Sequence, residues 1–390
     1  MSDRLPQEIV EEILHRLPVK SLVKFITVCR AWNSLITNRT FVSDHLNRTI
    51  QASNSRGSLF FQFSLTGYKG QIHLHGEQFY SLYSVNQQTD HFSVERFPLS
   101  HLFRRDRPEI FAGTCNGIVC AADYSSFHSA TILIWNPLLR KYLVLPKPIM
   151  TCKNGKSQLD DKYRLHFGFG FDSKNNDYKV IRLMILCDKQ DTPHVEVYSL
   201  VSRSWRIIDV TVPPFFICYL RHWFTPVTVN GAVHWVVGRR RCDGPWYKFI
   251  LSFDVNEETF GELMLPQQWR EVESTLLAVE GGHSLSVVNH FMKRNRRVFS
   301  VWVMKKYGII DSWTEIFQCD SECYGGVLDI LALTRGGKVV VRLASEVITL
   351  IDPINGSLEP VGRQGYSEAY VGSYVESLFL INKEPDVLSF

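Results

Sequence analysis

The apolar positions change their period once along the chain. Up to about residue 50 they follow helical spacing. Ile9, Ile13 and Leu17 lie four apart with Val10 and Leu14 beside them, which makes one broad apolar stripe. Pro6 suits the first turn of that helix and Glu8 its N-terminal dipole. Leu17-Pro18 ends it, because the residue before a proline avoids the helical region. A second short helix is predicted from Lys20 to Thr27 and a third from Cys29 to Ile36. Three helices of two or three turns cannot stand alone. Their surplus apolar surface must be covered, either by the rest of the chain or by another protein.

From about residue 58 the period becomes two, and the pattern repeats. Asn116-Gly117, Asn230-Gly231, Gly281-Gly282 and Gly336-Gly337 each interrupt an alternating apolar run, the signature of a tight hairpin. A second hairpin follows each: an apolar strand, a polar turn, then another strand. Its copies begin at Ser81, Ile132, Val195, Ile250, Phe299 and Val347, spaced 51, 63, 55, 49 and 48 residues apart. A period near 50 with four strands per unit predicts an all-β propeller. Six outer hairpins imply six blades, with seven the alternative if Ser58–Leu65 forms a separate unit. Tyr370–Ile381 has the character of an inner strand without an outer hairpin, and the copy at Ser81 is an outer hairpin with little before it. Together they make one blade in which N- and C-terminal strands of the domain close the ring, removing an open edge. The expected organisation is a helical domain over 1–46, a linker over 47–57 and a propeller over 58–390.

Composition narrows the function. Net charge is +4, from 43 basic and 39 acidic residues, too mild to point to nucleic acid or a membrane surface as partner. No apolar run reaches the 18 or so residues of a membrane span. Nine scattered cysteines, an odd number, fit reduced thiols of a cytoplasmic protein, or a nuclear one if Lys293–Arg297 acts as a targeting signal. The sequons at Asn38, Asn47 and Asn355 then carry no meaning. No catalytic residue, metal site or cofactor is expected. Cys319 and Cys323 have metal-like spacing but no second pair. The glycines of "GFGFD", at Gly168 and Gly170, lie in a strand pattern and lack the Gly-Lys-Ser/Thr of a phosphate loop.

The first 36 residues, "LPQEIVEEILHRLPVKSLVKFITVCRAWNSLI" in particular, resemble an F-box along their whole length. The match rests on two Leu-Pro pairs, the Ile and Leu positions of the first helix, "VKSLVKF" and "VCRAWNSLI". The later "TCNGIVC", "IWNP", "VLP", "GFGFDSKNNDYKVIRL" and "YVESLFLIN" are similar to the F-box-associated region of plant F-box proteins, nearest to the S-locus-F-box-like branch and its kelch-like relatives. True kelch Gly-Gly spacing is not kept. The resemblance implies a non-catalytic substrate receptor of an SCF ubiquitin ligase. Its helices would dock on a Skp-type adaptor, and through it a cullin, using Leu5, Pro6, Ile9, Leu14, Leu17, Pro18, Leu22 and Trp32. Phe25, Val28 and Leu35 serve equally well to hold the helices together. A non-degradative scaffold, a small-molecule sensor using the propeller channel and a propeller enzyme are the alternatives.

Long connections are predicted over 100–112, 147–166, 210–224 and 238–247, all on the face opposite the tight turns. Binding residues gather on loops of a rigid scaffold, so this face is the expected site for a protein target. Phe215, Phe216, Tyr219 and Trp246, beside Arg239, Arg240 and Arg241, are of the types enriched at binding hot spots.

Overall fold

A computed structural model of the chain describes residues 6–53, 58–64, 67–69, 72–74, 78–84, 95–96, 109–123, 131–150, 163–186, 193–212, 226–240, 246–266, 273–279, 282, 284–361, 368–382 and 387–389. Four helices come first: α1 (Gln7–His15), α2 (Val19–Phe25), α3 (Arg30–Ile36) and α4 (Arg39–Ser53). The fourth corrects the expectation of three helices, and it runs through much of the segment assigned to a linker. Its start is marked by Asn38, whose Oδ1 accepts the Thr40 N–H at 2.8 Å as an N-cap. Its apolar row escapes notice because His45 sits within it. That imidazole is buried and bonds the Leu17 carbonyl through Nε2 at 2.9 Å.

The strands begin with β1 (Ser58–Ser64), β2 (Gly67–Lys69), β3 (Ile72–Leu74), β4 (Gln78–Ser84) and β5 (Glu95–Arg96). Blade 1 is β6 (Glu109–Cys115), β7 (Ile118–Asp123), β8 (Ile132–Asn136) and β9 (Lys141–Val144). Blade 2 is β10 (Tyr163–Asp172), β11 (Asp177–Leu186), β12 (His194–Ser199) and β13 (Ser204–Ile208). Blade 3 is β14 (Val227–Val229), β15 (Ala232–Arg240), β16 (Trp246–Asp254) and β17 (Thr259–Met264). Blade 4 is β18 (Glu273–Val279), β19 (Leu285–Lys293), β20 (Arg296–Met304) and β21 (Trp313–Asp320). Blade 5 is β22 (Val327–Leu333), β23 (Val339–Leu343), β24 (Ile348–Ile351) and β25 (Leu358–Pro360). β26 (Glu368–Tyr374) and β27 (Val387–Ser389) complete the set.

Blade 6 closes the ring. Its order is β26-β1-β4-β5, with β26 antiparallel to β1 from Ser58↔Tyr374 to Ser64↔Glu368. Ser58–Ser64 is therefore a strand of the closing blade, which settles six blades over seven. β27 adds a fifth strand to the outer edge of blade 1 through β9.

Both faces of the blades are apolar, since each is sandwiched between two neighbours. In β11, Val180 and Met184 face blade 1 while Ile181, Leu183 and Ile185 face blade 3. Six such clusters occur, one between each neighbouring pair, including blade 5 with blade 6 and blade 6 with blade 1. The "GFGFD" glycines make room for this packing. A Cβ on Gly168 would lie 2.5 Å from the Trp235 ring, and one on Gly170 would lie 2.7 Å from Val255. The Trp235 indole donates to the Phe167 carbonyl at 2.9 Å across the same seam. A second clasp recurs between blades. Trp205 in β13 donates to the Pro146 carbonyl at 2.7 Å, and Trp313 in β21 donates to the Met264 carbonyl at 3.0 Å. Each indole thereby holds the end of the preceding blade's outer strand.

Acid should loosen both domains. His234, fully buried in blade 3, is hydrogen-bonded to the Val227 carbonyl and the Tyr307 hydroxyl, and burial lowers its pKa to about 4. Burial also lowers His15 and His45 in the helices. Between about pH 6.5 and pH 4 the unfolded chain binds protons that the folded chain does not, so stability falls as pH drops through that window. His234 alone accounts for about 3 kcal/mol of the loss. Thermal melts from pH 7 to pH 4.5 should show this decline, and His234→Gln should flatten it. An unchanged slope in the variant would exclude His234 as its source.

Candidate functional site

The helices rest on one face of the propeller, where the turns are tight. In blades 1 to 5 the connections from first to second strand and from third to fourth lie on this turn face, and the strand ends that lead into the other connections lie on the far face. Asn116-Gly117 and Asn230-Gly231 form such turns, with φ of 50° and 78° and of 54° and 74°, as a primed two-residue turn requires. Arg140, Arg203 and Glu258 hold equivalent left-handed positions in the outer turns of blades 1, 2 and 3.

Against this face the helices form one core: Leu14, Val19, Leu22, Ile36 and Phe41 around Leu378, with Leu138 and Leu139 of blade 1 packed alongside. Leu378 belongs to the segment after β26, which blade 1 grips from below. Asn136 is fully buried. Its Nδ2 donates to the carbonyls of Ser377 and Phe379 at 2.9 and 2.8 Å, and its Oδ1 accepts from the N–H groups of Leu138 and Leu139. Lys141 donates to the Ile381 carbonyl at 2.6 Å. The Gly117 turn runs so close that a Cβ there would lie 2.2 Å from the Val375 carbonyl oxygen. From above, the Glu376 carboxylate accepts the first N–H of α2, on Val19, at 3.2 Å. The "TCNG", "WNP" and "ESLFLI" motifs thus build a single junction between helices and propeller. Sequence reasoning found the motifs without finding their common purpose, because residues some 240 positions apart meet here.

The described residues expected on the adaptor face separate into three groups. Leu14 and Leu22 are buried at 1% and 0% exposure in the junction core and do not face outward. Leu17 and Trp32 are half-buried, Trp32 with its ring 5.2 Å from Phe25. Pro6, Ile9 and Pro18 are exposed, while Leu5 lies outside the described residues. Ile13, Val23 and Val28 join the exposed set. Phe25 and Leu35 pack against the helical core, whereas Val28 does not. The surplus apolar surface of the opening stripe is therefore divided: the Val10, Leu14 and Leu17 side is covered by the chain itself, and the Ile9 and Ile13 row stays open.

On the far face, Arg239 is the last residue but one of β15 and is not a free cation. It is ion-paired with Glu262 on β17, and its guanidinium lies over the Phe249 ring at 4.8 Å. This pairing gives Arg239 a structural role in blade 3 besides its place among the candidate target residues. Arg240 and Trp246 pair across β15 and β16 at the far end of blade 3. Arg241, Phe215, Phe216 and Tyr219 lie outside the described residues, as do most of the long connections. A basic turn on this face is described: Arg294 and Asn295, at φ of 50° and 64°, join β19 to β20, with Lys293 and Arg296 beside them. Arg296 bridges to Glu322 at 2.8 Å.

Among the described residues no three His, Cys, Asp or Glu side chains gather as metal ligands. Burial pushes the Cys319 thiol up to about 12, so it stays protonated.

Family comparison agrees with this architecture. Residues 2–44 match the F-box domain, and residues 72–379 match the F-box associated beta propeller domain. An F-box/kelch-repeat protein of Arabidopsis thaliana is 30% identical over 315 residues, covering 80% of this chain and 78% of the relative. A second F-box protein of the same plant is 24% identical over 400 residues, covering 92% and 87%. The F-box protein CPR1, also of Arabidopsis thaliana, is 24% identical, covering 80% and 72%. Among solved structures, the β-propeller domain of the Trilobed protease from Pyrococcus furiosus aligns with a TM-score of 0.38 at 9% identity, covering 78% of this chain and 82% of that one. The chain belongs to the F-box proteins whose second domain is an F-box-associated β-propeller.

Proposed function

We propose that this protein is the substrate-recognition subunit of an SCF-type ubiquitin ligase in the cytoplasm or nucleus. Its helices dock on a Skp-type adaptor, and the far face of its propeller captures a protein target. One observation carries the reading: the helical unit is fixed to the propeller on one side and keeps exposed apolar side chains on the other. Ile9 and Ile13 on one row of α1 are 48% and 46% exposed, and Val28 is 60% exposed. A partner surface made of helices would cover them, since apolar area withdrawn from water is the main driving force for such association. Transfer of ubiquitin is left to other subunits, and this chain contributes proximity.

Ile9→Asp combined with Ile13→Asp tests the docking face. Both side chains are exposed, so the melting temperature should hold. Adaptor binding should fall below detection, since each apolar anchor at an interface centre contributes about 2 kcal/mol or more. Co-purification of the double variant with a Skp-type adaptor at the wild-type level would sink the assignment.

A further inference from the structure

One hairpin of blade 4 reaches past its own sheet. β19 and β20 pair with one another as far as Lys293↔Arg296. Among the described residues β18 accompanies β19 only to His290, and β21 accompanies β20 only to Val298. The rungs Met292↔Arg297 and Lys293↔Arg296, with the Arg294-Asn295 turn, therefore stand clear of the flanking strands. The overhang is roughly 10 Å at the usual rise per residue. It joins the second strand of the blade to the third, so it rises from the far face. Its root is held firmly: the His290 and Phe299 rings meet at 5.1 Å, and the Ser321 N–H donates to the Arg297 carbonyl at 2.7 Å.

The residues of this overhang are locally unfavourable. Lys293 and Arg296 are like charges directly opposite in an antiparallel pair, and they repel. Arg294 holds the first position of a two-residue turn at φ of 50°, where blades 1 and 3 place Asn116 and Asn230. Left-handed backbone there is strained for a long side chain with a Cβ. Arg296 is relieved by Asp320 at 3.5 Å and by Glu322 at 2.8 Å. Lys293, Arg294 and Arg297 have no acidic partner among the described residues. Lys293 and Arg294 are exposed, and Met292, 65% exposed, stands opposite Arg297. Charge on an open edge also keeps other strands away, a role that either sign fulfils. Four cations within the five residues from Lys293 to Arg297 exceed that role, and local rules are broken where function requires it.

We propose that this overhang binds an acidic segment of the protein target, a run of aspartate and glutamate side chains with an apolar neighbour. The carboxylates meet Lys293, Arg294 and Arg297, and the apolar side chain covers Met292, whose flexible thioether adapts to varied partners. Binding brings negative charge to a place where like charges now face each other, so repulsion within the hairpin is relieved on contact. The overhang is already ordered, so little conformational freedom is lost. The inference rests on the reading of the far face as the target site, and gives that site a substrate class.

The probe is a fluorescein-labelled peptide of aspartate and glutamate around one leucine, titrated into the full chain and followed by anisotropy. It should bind, and bind more weakly as salt rises. Lys293→Gln with Arg294→Gln should weaken binding about tenfold. The melting temperature should hold, since both side chains are exposed. Lys305→Gln with Lys306→Gln removes equal charge from the turn face of the same blade, where both lysines are exposed. That variant should stay within about twofold of wild type, because charges so far from the peptide are screened. No peptide binding, or equal loss in the two double variants, would overturn the proposal. So would tighter binding of a single-stranded oligonucleotide of equal charge. Capture of a Skp-type adaptor by the full chain is measured alongside. Adaptor capture without peptide binding would remove this inference and leave the ligase reading in place. Peptide binding without adaptor capture would count against the ligase reading and leave the preference of the hairpin for acidic segments standing.

Discussion

A chain ending before Glu368 should not fold cooperatively. Removing the residues from 368 onward takes away β26, the inner strand of blade 6, and leaves the edge of β1 unpaired over its full length. It also removes Tyr370, Val371 and Tyr374, which complete the cores between blade 6 and its two neighbours. The same cut deletes Leu378 from the centre of the helical core and leaves Asn136 with two unsatisfied amide donors in a buried site. An open edge of this kind templates aggregation. Expression should yield insoluble or protease-sensitive protein, with no sharp transition by circular dichroism. A soluble truncation that melts cooperatively would mean the ring does not depend on this strand.

Breaking the buried ion pair of blade 2 should cost about 3–5 kcal/mol. Arg182 on β11 and Glu196 on β12 are directly opposite, both fully buried, and 2.5 Å apart. The same pair holds the connection from blade 1: Glu196 accepts the Met150 N–H at 2.6 Å and Arg182 donates to the Met150 carbonyl at 3.1 Å. Arg182→Met strands a carboxylate in a dry interior and should show the full loss in a urea titration. Arg182→Met with Glu196→Leu removes both charges and should recover much of it, the remainder reflecting the orphaned backbone groups of Met150. Equal instability of the single and double variants would show that packing, not the stranded charge, governs the site.

The architecture was legible because it repeats. Each blade restates the same alternation, and turns such as Asn116-Gly117 and Asn230-Gly231 announce themselves by residue type. Closure was legible too, since Tyr370–Ile381 reads as a strand without a partner. What stayed hidden depends on contacts between distant residues. Nothing local distinguishes Leu14 from Ile13: adjacent on α1, one is buried by Leu378 and the other is exposed. Arg239 reads only as a candidate target contact because its partner Glu262 lies on another strand. α4 was overlooked because His45 interrupts its apolar row, a polar residue tolerated there by its bond to Leu17.

The division of blade 6 between the two ends of the domain also sets a schedule for synthesis. β1 leaves the ribosome about 300 residues ahead of the strand that will pair with its inner edge. At translation speeds of about 5–20 residues per second, that edge waits on the order of 15 to 60 s. The nascent chain must be kept from other strands throughout this interval, which makes it a natural client for chaperones. The helices wait as well, because their floor, Glu376 and Leu378, follows the closing strand. A ring still missing β26 therefore also lacks the platform on which the helices settle.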